Sequence, residues 1–233
     1  MSLLNKELRQ AIIGWDFKSW NRALNHWDRT LDSRSIPLGP ALEIGARSGG
    51  LSLYLALRDR EVYCTDLVQP TLEATAHHAH FKVRNRIVYR AADATQLPFD
   101  SAMFAIVAFK SVLGSIGRDG DIASVEQVVN EVSRVLKPNG VVLFAENCFA
   151  SRLHMALRRR FNRWGSYYYY FRPEELRRLL SSLGLAQFES FGFLTPFGRT
   201  EAQRAALHAI DVPLTKLIPT SNHYLIYGHA MKH

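Results

Sequence analysis

The chain has 233 residues, 47% of them hydrophobic and 21% charged, with a formal net charge of +8. That length holds one sizeable α/β domain and is short for two. No apolar run reaches the roughly eighteen residues of a spanning helix. The N-terminus lacks a long apolar stretch ahead of a small-residue cleavage site, so it does not read as a secretory signal. Cys64 and Cys148 lie inside apolar, strand-like runs without metal-ligand spacing or a disulfide framework. A reduced, cytoplasmic protein with no resident metal is expected.

The first thirty or so residues read as helical, because Trp20, Leu24, Trp27 and Leu31 recur at helical spacing with polar residues between them. Pro37, Gly39 and Pro40 end that lead-in. From Ala41 short apolar runs alternate with helices. The runs are ALEIGA (41–46), EVYCTDL (61–67), RIVYRAA (86–92), MFAIVAF (103–109) and GVVLFAEN (140–147). Residues 51–58 and 71–83 are helix-compatible. Ile122, Val125, Val128, Val129, Val132, Val135 and Leu136 form one apolar helix stripe, stopped by Lys137-Pro138-Asn139-Gly140. This alternation implies a doubly wound, mostly parallel sheet covered on both faces.

After the fifth run the pattern changes. Residues 149–172 are basic and aromatic, and a helix follows from Pro173 to a C-cap at Gly184. AQFESFGF (186–193) and HYLIYGHA (223–230) read as two further strands, separated by a long segment, 194–222, of the sort that covers a site. The expected organisation is a helical lid over 1–36 and a Rossmann-like domain over 37–233, with lid insertions at about 149–172 and 194–222.

The charge concentrates in Arg158, Arg159, Arg160 and Arg163, followed by Arg172, Arg177 and Arg178. A solvated helix face is the plain reading of this stretch. Leu153, Met155, Leu157, Phe161 and Trp164 interleave with the arginines, so an anionic or lipid-linked substrate, or a membrane surface, are the alternatives.

The most informative residues follow the first strand: Glu43-Ile44-Gly45-Ala46-Arg47-Ser48-Gly49-Gly50. A glycine-containing turn between strand and helix lets the backbone approach a ligand closely, and an acid at the tip of the second strand, Asp66, is placed to bind ribose hydroxyls. A dinucleotide fingerprint requires glycine at its middle position, where this chain has Arg47. A nicotinamide oxidoreductase therefore ranks last. A tight turn with a purely structural role remains the competing reading of the loop alone.

Four segments in order resemble the class I S-adenosylmethionine-dependent methyltransferases, small-molecule (type 11-like) branch. LEIGARSGGLS is similar to that family's first motif, E/D-x-G-x-G-x-G, and CTD, ending at Asp66, to its second-strand acid. AADATQLPFDSAMFAIVAF resembles the stretch from the adenine-binding acid into the fourth strand, and EVSRVLKPNGVVLFAEN the segment leading into the fifth. The resemblance implies a Rossmann-like, seven-stranded, mostly parallel sheet and S-adenosyl-L-methionine as cofactor. It implies that Glu43, Gly45, Ala46 and Gly49 shape the loop beside the methionine portion. Asp66 would accept from the ribose, Leu67 would pack on adenine, and Asp93 with Ala94 would meet the adenine amino group. Lys110 and Ser111 would face the place where cofactor and acceptor meet. Arg47 departs from the family's central glycine, and alters the loop or brings a cation near the methionine carboxylate.

The expected activity is methyl transfer to a small molecule, such as a glycan or secondary-metabolite intermediate, at oxygen. An oxygen acceptor benefits from a base, for which His26, His154, His208 and His223 are candidates. His77, His78 and His80 fall in a helix that reads as a surface one. The fourth strand runs into Ala108-Phe109-Lys110-Ser111, which is neither the Asn/Asp-Pro-Pro-aromatic motif of amino-methylating enzymes nor an acid in the position of a metal ligand. Trp15, Trp20, Trp164 and the tyrosines 167 to 170 are candidates for an aromatic wall round the acceptor. RNA methylation is the second reading, without a visible RNA-binding module, and a non-catalytic cofactor-binding scaffold the third.

Overall fold

The computed structural model describes residues 5–70, 72–161 and 168–232. Their strands form one seven-stranded sheet: β1 (Ala41–Ile44), β2 (Val62–Asp66), β3 (Ile87–Ala91), β4 (Phe104–Lys110), β5 (Leu136–Asn147), β6 (Leu185–Phe191) and β7 (Leu225–Met231), in the order β3-β2-β1-β4-β5-β7-β6. The first five are parallel, as strand-helix alternation demands. β7 runs antiparallel between β5 and β6. Its apolar run is buried almost throughout, whereas β6 presents Gln187 and Glu189 along a half-exposed edge.

Alternation along each strand separates two apolar layers. On one face α1 (Lys6–Ile13), α2 (Phe17–Ser33) and α3 (Gly50–Ala56) pack Ile12, Trp20, Leu24, Trp27, Leu53 and Tyr54 against the sheet. On the other, α6 (Ile122–Val135) and α8 (Pro173–Ser181) bury Val125, Val128, Val132, Leu176 and Leu180. The remaining helices are α4 (Leu72–His80), α5 (Leu113–Ile116), α7 (Arg152–Phe161) and α9 (Glu201–Leu217).

One segment differs from the sequence expectation, and another carries a helix that the expectation did not specify. Residues 137–140 do not separate α6 from β5, because the strand starts at Leu136 directly. Leu136 pairs with Phe104 and Val141 with Ile106, so the Lys-Pro-Asn-Gly residues bulge out within β5. Asn139 adopts a φ of 60°, and its N–H reaches Lys232 O at 3.0 Å. Residues 194–222 carry a full helix, α9, opened by a Thr200–Gln203 capping box and tied to the chain after β6 by Asp211, whose buried carboxylate accepts from the amides of Leu194 and Thr195.

The N-terminal helices are fastened by Asp28 on α2. Its carboxylate receives Arg9 of α1 and Arg58, each at 2.7 Å, and the Tyr54 hydroxyl of α3 at 3.1 Å. Removing one member of a buried pair strands the other charges, which costs about 3–5 kcal/mol. Asp28→Asn is therefore expected to lower stability by about 2–4 kcal/mol in urea denaturation and to free α1 for early proteolysis. An unchanged midpoint would show that the hub contributes nothing.

Candidate active site

The loops that continue the parallel strands gather at one edge of the sheet, where ligands sit in folds of this topology. Glu43, near the end of β1, points toward α3 and is buried. It accepts the backbone N–H of Leu51 at 3.1 Å, that of Ser52 at 2.7 Å and the Ser52 hydroxyl at 2.5 Å. A strand carboxylate thus satisfies the orphan amides at the start of α3. Burial pushes its pKa up to about 7 against these hydrogen bonds and the nearby Lys110 charge.

The turn itself runs Gly45-Ala46-Arg47-Ser48-Gly49. Ala46 is buried, and its N–H donates to Thr65 O at 2.9 Å. Arg47, in place of the family's glycine, holds the left-handed conformation that position requires (φ 50°), at a cost on the order of 1 kcal/mol. Its N–H donates to Asp66 Oδ2 at 2.9 Å, and Leu67 N–H donates to Asp66 Oδ1 at 2.8 Å. The same carboxylate therefore organises two loops and keeps further lone pairs for hydroxyl donors. The Arg47 side chain is exposed.

His78 is a correction to the sequence reading, which left it solvated. It is fully buried on α4, with Nε2 2.8 Å from Gly49 O and Nδ1 2.8 Å from the Tyr89 hydroxyl. Burial lowers its pKa and keeps the ring neutral. A Cβ on Gly49, whose φ is 74°, would fall 2.4 Å from the His78 ring. His77 reaches Ser48 O at 3.2 Å, whereas His80 is exposed.

Beyond the turn, Leu67 is 71% exposed and Val68 and Leu72 stand open beside it, an apolar shelf next to Asp66. Asp93 is exposed and follows β3. It accepts Thr95 N–H at 2.8 Å and Oγ1 at 2.7 Å, which hold its carboxyl below the usual range. Ala94 is buried beside it. This set of an acid, an apolar shelf and close backbone fits the ribose and adenine of a nucleoside cofactor, and the exposed Arg47 cation fits its carboxylate.

Lys110 ends β4. Its Nζ donates to Ile13 O of α1 and lies 5.5 Å from the Trp20 ring. Burial lowers its pKa to about 8, against the pull of Glu43. Ser111 turns the chain with a φ of 58° and accepts from Asn147 at 3.1 Å. The segment read as a lid thus meets the strand ends: Ile12 O would be 2.1 Å from a Cβ placed on Gly50.

Two buried acceptors, Glu146 and Asp16, were not legible as site residues, and a buried donor, Arg158, was legible only as a member of a basic run. Glu146, at the end of β5, accepts Val112 N–H at 2.7 Å, Leu113 N–H at 2.8 Å and the Tyr168 hydroxyl, and burial pushes its pKa up to about 7. Asp16, between α1 and α2, is fully buried in a left-handed conformation (φ 48°). It accepts from the Tyr224 hydroxyl at 2.5 Å through Oδ2, while Oδ1 has no partner among the described residues. Burial pushes its pKa up to about 7. Arg158 of α7, in the run read as a solvated face or else as meeting an anionic substrate or a membrane surface, is only 2% exposed; Arg159 and Arg160 are exposed.

The candidate histidines separate by environment. His26 is wedged between Glu189 (2.8 Å) and His229 (2.9 Å), and His223 between Ser190 (2.9 Å) and Thr215 O (3.1 Å), so both nitrogens of each ring are occupied. His208 meets the Ser19 hydroxyl at 3.2 Å. His154 donates from Nε2 to Phe193 O at 2.6 Å, and its buried Nδ1 has no partner among the described residues. Burial and the Arg158 charge lower its pKa to about 3. Among the candidate wall residues, the Trp15 and Trp20 rings lie 5.6 Å apart and those of Tyr168 and Tyr170 5.0 Å apart. Trp164 and Tyr167 lie outside the described residues, as does Arg163. No group of three metal-ligating side chains occurs among the described residues, and no helix of theirs is long and apolar enough to cross a membrane.

Comparison with known proteins agrees with this geometry. Residues 42–144 match the family described as a methyltransferase domain. No curated protein matches the sequence. Among solved structures, phosphoethanolamine N-methyltransferase 2 of Haemonchus contortus, bound to S-adenosyl-L-methionine, is similar at a TM-score of 0.62 and 19% identity, over 97% of this chain and 56% of that one. Geranyl diphosphate C-methyltransferase of Streptomyces coelicolor A3(2), bound to Mg2+, geranyl diphosphate and S-adenosyl-L-homocysteine, is similar at a TM-score of 0.64 and 12% identity, over 100% of this chain and 86% of that one. The [4+2]-cyclase SpnF is similar at a TM-score of 0.58 and 18% identity, over 92% and 82%. The chain thus spans little more than half the length of the Haemonchus enzyme. It shares the Rossmann-like fold of these methyltransferases, and its residues 42–144 match a methyltransferase domain.

The raised pKa of Glu43 gives the loop a pH signature. A folded-state pKa near 7 lies above the unfolded value of 4.5, so the stabilisation tied to this proton is complete below pH 4.5 and is lost as pH rises through about 7. The swing is on the order of 3 kcal/mol. Glu43→Gln cannot titrate. The stability of the wild type minus that of Glu43→Gln, read from denaturation midpoints, should therefore fall from pH 5 to pH 8, and a flat difference would contradict the assignment.

Proposed function

We propose that the protein transfers a methyl group from S-adenosylmethionine to an oxygen atom of a small-molecule acceptor, such as a glycan or secondary-metabolite intermediate. The observation that carries the cofactor half of this reading is the double use of Asp66, whose carboxylate holds the amides of Arg47 and Leu67 beside an exposed apolar shelf. In this reading Asp66 takes the ribose hydroxyls, Leu67 packs on adenine and Asp93 with Ala94 meets the adenine amino group. Gly45, Ala46, Arg47 and Gly49 line the methionine end, with Glu43 behind them holding the loop. Lys110 and Ser111 border the point of transfer.

When bound, the cofactor supplies an activated methyl group, which leaves the protein to align the acceptor, exclude water and remove a proton. Asp16 is the best-suited base among the described residues. Its Oδ1 makes no hydrogen bond among the described residues, with Ser19 nearby, and a pKa near 7 matches proton removal at neutral pH. Tyr224 fixes the other oxygen. His154 is too weakly basic, with a pKa lowered to about 3, and the rings of His26 and His223 are fully engaged. Arg47 in the glycine slot favours a second reading, a cofactor-binding scaffold without turnover.

Calorimetric titration with S-adenosylmethionine and S-adenosylhomocysteine, with NAD as control, tests the cofactor half. Both sulfur nucleosides should bind and NAD should not, and Asp66→Ala should weaken binding roughly tenfold or more. No binding at millimolar ligand would sink the enzyme reading. With labelled methyl donor and a panel of hydroxylated and aminated acceptors, label should enter hydroxyl groups. Asp16→Asn should lower kcat by about a hundredfold or more while cofactor affinity is retained. Transfer confined to amines would overturn the oxygen assignment, and binding without turnover on any acceptor would favour the scaffold.

A further inference from the structure

Arg158 is a buried cation without a counter-charge. No carboxylate pairs with it among the described residues, and the residues outside them, 1–4, 71, 162–167 and 233, include no Asp or Glu. Its guanidinium stacks 4.7 Å from the Tyr170 ring centroid and 5.3 Å from that of Tyr224, while Nη1 makes one long contact, 3.4 Å, to Cys148 O. Nε and Nη2 have no hydrogen-bond partner among the described residues. Those two nitrogens form one edge of the guanidinium fork, the edge that grips an oxyanion with two parallel hydrogen bonds. Rings that stack on the charge hold the fork flat but leave its N–H groups unsatisfied, and a protein rarely buries such donors without something to meet them.

The surroundings put this edge on the acceptor side of the proposed site. Cys148 follows Glu146 and Asn147 at the end of β5, and Tyr224, beside the start of β7, links Arg158 to Asp16 through its ring and its hydroxyl. Tyr170 also borders a cavity of about 260 Å3 whose lining includes Phe149, Tyr168, the cations Arg159 and Arg172 and the carboxylate of Glu175. One turn back on α7, the unpartnered Nδ1 of His154 lies on the same buried face.

We propose that Arg158 anchors a phosphate-type oxyanion of the methyl acceptor, gripped through Nε and Nη2 between Tyr170 and Tyr224. The proposal rests on the methyltransferase reading above and narrows its acceptor to a phosphorylated small molecule. It makes Arg158 a specificity-determining residue and leaves proton removal to Asp16.

Inorganic phosphate, glycerol 3-phosphate and pyrophosphate are titrated into the protein saturated with S-adenosylhomocysteine, with glycerol and acetate as controls. At least one phosphate compound should bind and raise the Tm, and glycerol and acetate should not. Arg158→Met should weaken that binding roughly tenfold or more, leave cofactor affinity unchanged and keep or raise the Tm of the ligand-free protein, because an uncompensated charge has been removed. Arg158→Lys, which keeps the charge but loses the fork, should retain only part of the affinity and serves if the methionine variant does not fold. The proposal is overturned if no phosphate compound binds at tens of millimolar (roughly the upper limit for a specific charge-assisted contact). Acetate binding as well as phosphate, or both variants binding phosphate like the wild type, would also overturn it. Failure of S-adenosylhomocysteine itself to bind would defeat the methyltransferase reading instead, so the two failures are distinguishable.

Discussion

Ending parallel strands on a single edge creates a crowd of backbone N–H groups that turn from strand to helix and need acceptors. Carboxylates meet that demand here. Glu43 receives the first amides of α3, Glu146 those of α5, and Asp66 the amides of the glycine turn and of its own loop. Glu43 and Glu146 lie on opposite faces of the sheet, are both buried, and both have pKa values near 7. Asp66 is half-exposed and keeps room for a ligand. The difference in burial assigns the work: the two glutamates hold backbone, and the aspartate holds backbone while facing outward.

Rigidity around the turn has an equally local origin. The ring of His78 fills the space a side chain at position 49 would need, and its bond to Gly49 O fastens the turn to α4. Arg47 sits in the left-handed region without glycine's freedom, and the Asp66 hydrogen bond to its N–H offsets the strain. A preformed turn follows from these contacts, so that a ligand bound there would have little left to organise. α1 and the chain after it approach from the other side, through Ile12 against Gly50 and Ile13 against Lys110.

Features carried by local pattern were legible in the sequence. Strand runs, the helix stripe of α6 and the acid at the tip of β2 each depend on residues close together in the chain, and the structure brings Glu43, Asp66, Asp93 and Lys110 to one edge as their order along the strands implies. Features set by docking were not legible. His78 sits in a histidine-rich helix that reads as polar, and only its phase against Tyr89 and Gly49 shows which ring turns inward. Asp16 is ordinary in sequence, and becomes a buried acid because Tyr224, more than two hundred residues away (208), closes over it. Arg158 is one arginine in a run of three, distinguished from its neighbours by facing inward one turn after His154. The antiparallel course of β7 was equally hidden, since an apolar run states that a strand is buried and not which way it points.

In the proposed function the Glu43–Gly50 turn and Asp66 form a nucleoside site at the edge of the sheet. A crystal structure of the protein with S-adenosylhomocysteine tests that claim most directly. Ribose hydroxyls are expected within hydrogen-bond distance of Asp66, adenine against Leu67 near Asp93, and the sulfur facing Lys110 and Asp16. Density for the nucleoside elsewhere, or ribose hydroxyls without contact to Asp66, would contradict it.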